Sequence, residues 1–459
     1  MLSEWLGKNG AARLESSDIS VTTCPACGYH VSALFYDGGA QPLATLGWPQ
    51  SQAEARAMPK LPLRFVRCLD CGHVFNAAFD YQRVPYGDQP NRMFNQGLRW
   101  SVFLERVRNE MLDRLPSQPV VVEIGHGEGS FLEALAAARP AGRYIGFDPH
   151  GATESSHPGV SFRRALFSPE THLAEWKPDL LISRHVLEHL SDPLGFVQSL
   201  SFAASLAGLC PLVYIEVPCI DRVFETGRTE DFYYEHNSHF TTESFSRMLA
   251  RSFASIDALD HGYDGEVVYA FLRLKGRLEH LRHAHAARAF AEMARASRRV
   301  LMLELANLHL AGKRVAFWGG TGKCAAFLQA HEVDAARFPL VVDSDPGKVG
   351  SHVPGTGQRI EFRDVLRQTP VDVIIVPSQW RARDIAGEAA RCHIHYEQLL
   401  IPHRGRLVDF FSGDHPYKLA QGSPELANPP AGETVNRGSL PAPERRFARP
   451  GSPTDAAPA

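Results

Sequence analysis

The stretch Val121-Val122-Glu123-Ile124-Gly125-His126-Gly127-Glu128-Gly129-Ser130 decides the reading of this chain. An apolar run with strand character enters glycines at alternate positions, and helical spacing follows from Phe131 to Ala138. Glycine lets the backbone approach a ligand closely, and the N-terminus of the next helix favours negative charge. Taken alone, this pattern is shared with dinucleotide-binding folds, and it also fits a plain strand–helix turn. A second strand, Tyr144-Ile145-Gly146-Phe147-Asp148, ends in an acid about 20 residues beyond the glycines, a position from which a carboxylate accepts both hydroxyls of a ribose.

Around this pair of strands the chain alternates. Apolar runs at Val120–Ile124, Tyr144–Phe147, Leu180–Ile182 and Leu212–Ile215 are separated by helical patterns such as Phe131–Ala138 and Leu194–Ala207, which predicts a doubly wound parallel sheet. A long Ala-, Arg- and His-rich stretch, Leu278–Leu310, reads as a helical bridge to a second α/β pattern, with strands at Val315–Trp318, Leu340–Val342, Val373–Val376 and Leu399–Ile401. The expected division is 1–93, a small N-terminal module; 94–277, the first α/β core; 278–412, the bridge and a Rossmann-like domain; and 413–459, a Pro-, Gly- and Ser-rich disordered tail.

Composition narrows the classes. Of 459 residues 44% are hydrophobic and 22% charged, the balance of a globular protein with more than one core. Lys plus Arg number 48 against 51 Asp plus Glu, so no overall positive field exists to hold a nucleic acid. The N-terminus lacks a signal-peptide stretch and no apolar run is long enough to span a bilayer, which makes a cytoplasmic location and no membrane partner the expectation.

Of the 8 cysteines, four form Cys24-Pro-Ala-Cys27-Gly and Cys68-Leu-Asp-Cys71-Gly. In such a knuckle a tight turn points two thiolates at one metal, and two knuckles complete a tetrahedral four-thiolate shell. A closed shell leaves no position for substrate, so a structural zinc ion is expected, with His73 a neighbour rather than a ligand; redox-active or unliganded cysteines are the alternative. Further along, His185-Val-Leu-Glu188-His189 follows a strand directly, and Pro193 comes soon after. The run also fits a His-x-x-Glu-His zinc-peptidase signature, which requires a long helix.

The acid-bearing Glu123-x-Gly125-x-Gly127-x-Gly129 form resembles motif I of class I methyltransferases. With the knuckles before it and Tyr233-Tyr234-Glu235-His236-Asn237-Ser238-His239-Phe240 after it, the chain resembles the bacterial sugar C-methyltransferase family. Val315-Ala-Phe-Trp318-Gly319-Gly320-Thr321-Gly322-Lys323 and Val353-Pro354-Gly355-Thr356 extend the likeness into the C-terminal part. The family implies an N-terminal zinc domain, a class I methyltransferase core and a C-terminal Rossmann-like domain. Its members methylate a carbon of keto-deoxysugars carried on a nucleoside diphosphate.

The resemblance implies that S-adenosylmethionine is held by Glu123, Gly125, Gly127, Gly129, Asp148 and the loop at His185. It gives His236 the role of general base, with Glu235 and Tyr233 orienting or hydrogen-bonding beside it, and it places Tyr86 over the substrate. Imidazole titrates near the working pH, and a tyrosine hydroxyl can steady an enolate oxygen. Residues 233–240 also fit a packed, hydrogen-bonded loop. Thr241 and the segment after Tyr86 depart from the family pattern, which bears on the sugar more than on methyl transfer. The expected activity is carbon methylation of a nucleotide-linked keto-sugar or related carbonyl metabolite. An O- or N-methyltransferase and a non-catalytic zinc-containing binding module are the alternatives.

Overall fold

The computed structural model describes residues 15–85 and 95–418, which divide into two units, one ending at Arg288 and the other beginning at Ala289. The division falls within the 33-residue helix Leu278–Leu310, ten residues or so beyond the boundary expected from sequence.

The first unit begins with a small antiparallel sheet of β1 (Ile19–Val21), β2 (Val31–Gln41), β3 (Leu61–Cys68) and β4 (Val74–Asn76). Its fifth strand comes from far along the chain: β10 (Ser238–His239) pairs antiparallel with β4. The N-terminal module therefore shares its core. Leu46, Leu61, Leu63, Phe65 and Val74 pack with Ile220, Val223, Phe232 and Tyr234 in one cluster, which compensates for the few apolar residues the module supplies itself.

The main sheet has seven strands: β5 (Val120–Ile124), β6 (Arg143–Phe147), β7 (Val160–Arg163), β8 (Leu180–Arg184), β9 (Leu212–Pro218), β11 (Ala254–Gly262) and β12 (Val267–Leu274). Their order is β11-β12-β9-β8-β5-β6-β7. β5 to β9 run parallel, whereas β12 is antiparallel to both β9 and β11. This reversed hairpin separates the sheet from the six-stranded order of dinucleotide-binding domains. The expected class I methyltransferase architecture is the one observed.

The two faces of the sheet follow from alternation along the strands. Val122, Ile124, Leu181 and Val213 pack on one side; Val121, Leu180, Ile182, Leu212 and Tyr214 pack on the other, against helices Leu98–Leu112 and Ser130–Ala138. Glu123, Arg184 and Glu216 continue the second series, so three ionisable side chains share one buried face at the carboxyl end of the strands.

The second unit holds a six-stranded sheet ordered β15 (Ile360–Phe362), β14 (Leu340–Asp343), β13 (Val315–Trp318), β16 (Val373–Ile375), β17 (Gln398–His403), β18 (Arg406–Asp409). β13 to β17 are parallel and β18 closes the edge antiparallel, a doubly wound, Rossmann-like arrangement. Residues 413–418, expected to open the unstructured tail, are instead anchored by aromatic groups. The His415 ring is buried with Nε2 2.8 Å from the Phe410 carbonyl, and Tyr417 donates its hydroxyl to Gln379. The rest of the expected tail, 419–459, lies outside the described residues. Among the described residues no helix is long and apolar enough to cross a membrane.

Candidate functional site

The paired knuckles converge. Cys24 Sγ lies 3.7 Å from Cys71 Sγ and Cys27 Sγ 3.6 Å from Cys68 Sγ, and no two of the four sulfurs are more than 4.8 Å apart. A tetrahedron with metal–sulfur bonds of about 2.3 Å has edges of about 3.8 Å, so these thiols fit one zinc ion with little movement. Gly28 and Gly72 close the two turns at φ of +78° and +76°, the left-handed region that a side chain resists. His73 is turned away, its Nε2 3.2 Å from Ser238 Oγ.

At the end of β5 the loop turns through Gly125, Gly127 and Gly129, with φ of +76°, +55° and +79°. A Cβ on Gly125 would meet Val186 at 2.5 Å, and one on Gly129 would meet the Phe162 ring at 2.2 Å. At Gly125 and Gly129 the loop thus lies too close to its surroundings for a side chain, whereas Gly127 has open space and is held to glycine by its backbone alone. Asp148, at the end of β6, accepts from Gly127 N at 3.1 Å and from His150 N at 2.7 Å. Each carboxylate oxygen keeps a further lone pair, which suits a ribose diol. His126, which no local sequence signal marks, also belongs to the loop. Its buried ring stacks on Phe162 at 4.4 Å and stands where a Cβ on Gly146 or Gly151 would fall.

Beneath the loop lies a charged cluster. Arg184 contacts Glu216 at 2.9 Å and Glu123 at 3.9 Å, and its guanidinium covers the Phe131 ring at 4.1 Å. Burial pushes the Glu123 carboxyl up to about 8, against the pull of Arg184. Glu216 is held at about 2, because Arg184, His185 and the Tyr214 hydroxyl outweigh the opposing effect of burial. His185 adopts a left-handed backbone, φ +51°, immediately after β8. This sets its ring between two carboxylates, Nε2 3.2 Å from Glu216 and Nδ1 3.4 Å from Glu188. Burial opposes the charge, yet those two carboxylates raise the ring to about 9, so it is an imidazolium at neutral pH.

The second half of the site comes from the loop before β10. Tyr233 Oη is 2.8 Å from His236 Nε2, and the two rings pack at 4.3 Å. His189 stands edge-on to His236 at 4.8 Å, and its Nδ1 is 2.8 Å from the Glu235 carbonyl. A carbonyl only accepts, so that nitrogen carries the proton and Nε2 carries the lone pair in the neutral ring. Burial and the neighbouring imidazoles of His189, His239 and His185 hold His236 well below the usual histidine range. The Tyr233 phenol is pushed above its ordinary value by burial and stays protonated.

Of the residues singled out from sequence, His185, His236 and Tyr233 come together, linked through Glu188 and His189. Glu123, the glycines and Asp148 meet at the loop. Glu235 is different. Its backbone faces His189, but its carboxylate points into the N-terminal module, where Oε1 accepts from Thr45 N, Thr45 Oγ1 and Leu46 N at 2.7, 3.2 and 3.0 Å. Tyr86 lies outside the described residues. Glu188, Arg184 and Glu216 were missed as members of the site. Glu188 was visible inside the run 185–189, but the peptidase signature it matches needs a long helix, and here only a single turn, Leu187–His189, forms.

Residues 98–252 match the model of a methyltransferase domain and residues 267–396 that of a C-methyltransferase C-terminal domain. Flavone O-methyltransferase 1 of Triticum aestivum is 34% identical over 99 residues, which are 20% of this chain and only 28% of that relative's length. A S-adenosylmethionine-dependent methyltransferase of known structure from Aquifex aeolicus aligns at 12% identity with a TM-score of 0.30, over 43% of this chain and 99% of its own. The plantazolicin methyltransferase BpumL, solved with S-adenosylhomocysteine, aligns at 16% identity and a TM-score of 0.29, over 39% and 84%. By these two matches, the chain carries a methyltransferase domain followed by a C-methyltransferase C-terminal domain.

Proposed function

We propose that the protein moves a methyl group from S-adenosylmethionine to a carbon beside the carbonyl of a small acceptor, a nucleotide-linked keto-sugar or a related metabolite. The observation that carries this reading is the pairing of Tyr233 Oη with His236 Nε2 at 2.8 Å. Alkylating carbon next to a ketone requires a base for the acidic proton and a donor for the enolate oxygen, and this pair offers both. His236 is held neutral by its burial among other imidazoles, so its lone pair is present at physiological pH. With the proton of the neutral ring on Nε2, His236 donates to Tyr233 Oη, which leaves the Nδ1 lone pair as the base and the phenol proton free to be donated to oxygen.

S-adenosylmethionine, when bound, supplies an electrophilic methyl on a sulfonium. The chain's part is to hold and orient. Asp148 takes the ribose, the turn at Gly125 to Gly129 admits the cofactor close to the backbone, and Glu123 with Arg184 supports that turn from below. The His185 imidazolium, clamped by Glu188 and Glu216, fixes the wall between the two halves of the site. Catalysis on this account is mainly positioning and enolate stabilisation. The four cysteines hold one structural zinc, which ties the knuckles to the shared core and takes no part in the chemistry.

The test is solvent exchange. Offered a panel of nucleotide keto-sugars in deuterium oxide, the enzyme should exchange the acceptor's acidic C–H, and His236→Asn should lose exchange and methyl transfer together while still binding cofactor. Methylation by the variant at the wild-type rate removes His236 as the base. Methyl transfer without any exchange favours an O- or N-methyltransferase, which needs a base but no enolate.

A further inference from the structure

Glu188 is 1% exposed, and among the described residues neither of its carboxylate oxygens has a hydrogen-bond partner. Its only ionic contact among the described residues is His185 Nδ1 at 3.4 Å, and that imidazolium is shared with Glu216. A buried carboxylate in this condition is costly unless a cation or a set of donors meets it. Two imidazoles stand beside it: the ligand atoms of Glu188, His189 and His236 lie within 4.8 Å of one another. The Glu235 carbonyl fixes the His189 tautomer, as a carbonyl commonly does for a metal-ligating histidine, and turns the Nε2 lone pair away from itself.

We infer that Glu188, His189 and His236 form a second metal site, separate from the four cysteines, for a borderline divalent cation such as zinc. Two neutral imidazoles and one carboxylate are a donor set of open zinc and non-haem iron centres; magnesium and calcium prefer oxygen alone. Ligands on one ion at about 2.1 Å stand roughly 3–3.5 Å apart, so the three side chains must draw in by at most an ångström or so. Three protein ligands leave further positions open. The neighbouring set Cys219, Asp221 and His261 shows the contrast. There the Thr242 hydroxyl already fills the centre, 2.5 Å from Asp221 and 2.7 Å from His261, and no unmet demand remains.

The existence of this site does not depend on the proposed function; its consequence does. If His236 is the base, its ring cannot hold a cation and receive the substrate's proton at once. Zinc and proton abstraction then exclude each other, and occupancy of this site switches exchange off.

Full-length protein is equilibrated with excess zinc ion, desalted, and analysed for metal per chain. The wild type should retain about two zinc ions, while Glu188→Gln and His189→Asn retain about one, the four-cysteine ion, with cooperative melting and cofactor binding preserved. About one ion in the wild type, or an undiminished second ion in both variants, overturns the inference. Solvent exchange separates the two ideas. A second zinc that leaves exchange untouched upholds the metal site and removes His236 as base. A single zinc with His236-dependent exchange removes the metal site and leaves the base.

Discussion

Replacing Glu235 by alanine asks whether this residue serves the chemistry or the scaffold. Its side chain is fully buried, and Oε1 gathers the Thr45 amide, the Thr45 hydroxyl and the Leu46 amide. Leu46 is itself buried in the core shared between the N-terminal module and residues 220–234. The alanine variant leaves two amides without their acceptor. Each such loss costs about 1–3 kcal/mol, and partial access of water at Thr45 brings the total to about 2–4 kcal/mol. For a unit of this size, about 1 kcal/mol moves the melting temperature by roughly 2–4 °C, so Glu235→Ala should melt about 5–15 °C lower. Glu235→Gln keeps an acceptor oxygen and should lose about half as much. The assay is thermal melting by near-ultraviolet circular dichroism, paired with solvent exchange well below the melting point. The glutamine variant should exchange at close to the wild-type rate with the same pH dependence. A variant that melts normally but has lost exchange would refute the structural role and return Glu235 to His236.

Two further predictions concern the cofactor half of the site. Asp148→Ala should weaken S-adenosylmethionine binding by at least about tenfold, since hydrogen bonds to a charged acceptor are worth about 1.5–3 kcal/mol each; unchanged affinity by calorimetry would move the ribose elsewhere. The other concerns pH. Folded Glu123 keeps its proton up to about pH 8, while the unfolded chain releases it near 4.5, so the wild type loses stability as pH rises across that window. Glu123→Gln removes the loss. A tenfold change in proton affinity is worth about 1.4 kcal/mol, giving a ceiling of about 4–5 kcal/mol and an expected gain of about 2 kcal/mol after local relaxation. The stability of the variant relative to wild type, from urea melts, should rise between pH 5 and about pH 8 and then level. The His185 contribution, present below pH 6.5 and lost as pH rises through about 9, occurs in both proteins and cancels. A difference that is flat across the window would place a charged Glu123 in the fold.

The central strands were legible because they are buried on both faces and read as unbroken apolar runs: Val120–Ile124 was placed to the residue, and Leu180 and Leu212 as strand starts. Edge strands were harder. Val160–Arg163 is half-exposed and short, and Ile360–Phe362 holds only three residues, so neither stands out from a loop by composition. The fifth strand of the N-terminal sheet was invisible for another reason. Ser238–His239 is two residues long, and it becomes a strand only because β4 is there to pair with it, more than 160 positions earlier in the chain. Nothing local announces such a partner.

The same distinction explains the site. A ligand turn built from consecutive residues can be read directly, and so can two cysteines that share one knuckle. Glu216 could not: it sits inside the run Leu212–Pro218, where a lone acid looks like an interruption of a core strand. Its meaning comes from register. Arg184 pairs with Glu216 across β8 and β9, and Glu123 lies diagonally across β5, so one face of the sheet collects a cation and two acids at the strand ends. The left-handed turn at His185 then carries the chain out of the sheet and sets an imidazolium between Glu216 and Glu188. Glu188 in turn faces His189 and His236, from a loop some 50 residues later. A single line of ionisable groups therefore runs from the glycine turn to the Tyr233–His236 pair. Each link is set by strand register or by one left-handed residue, properties that belong to the folded sheet and not to any stretch of sequence.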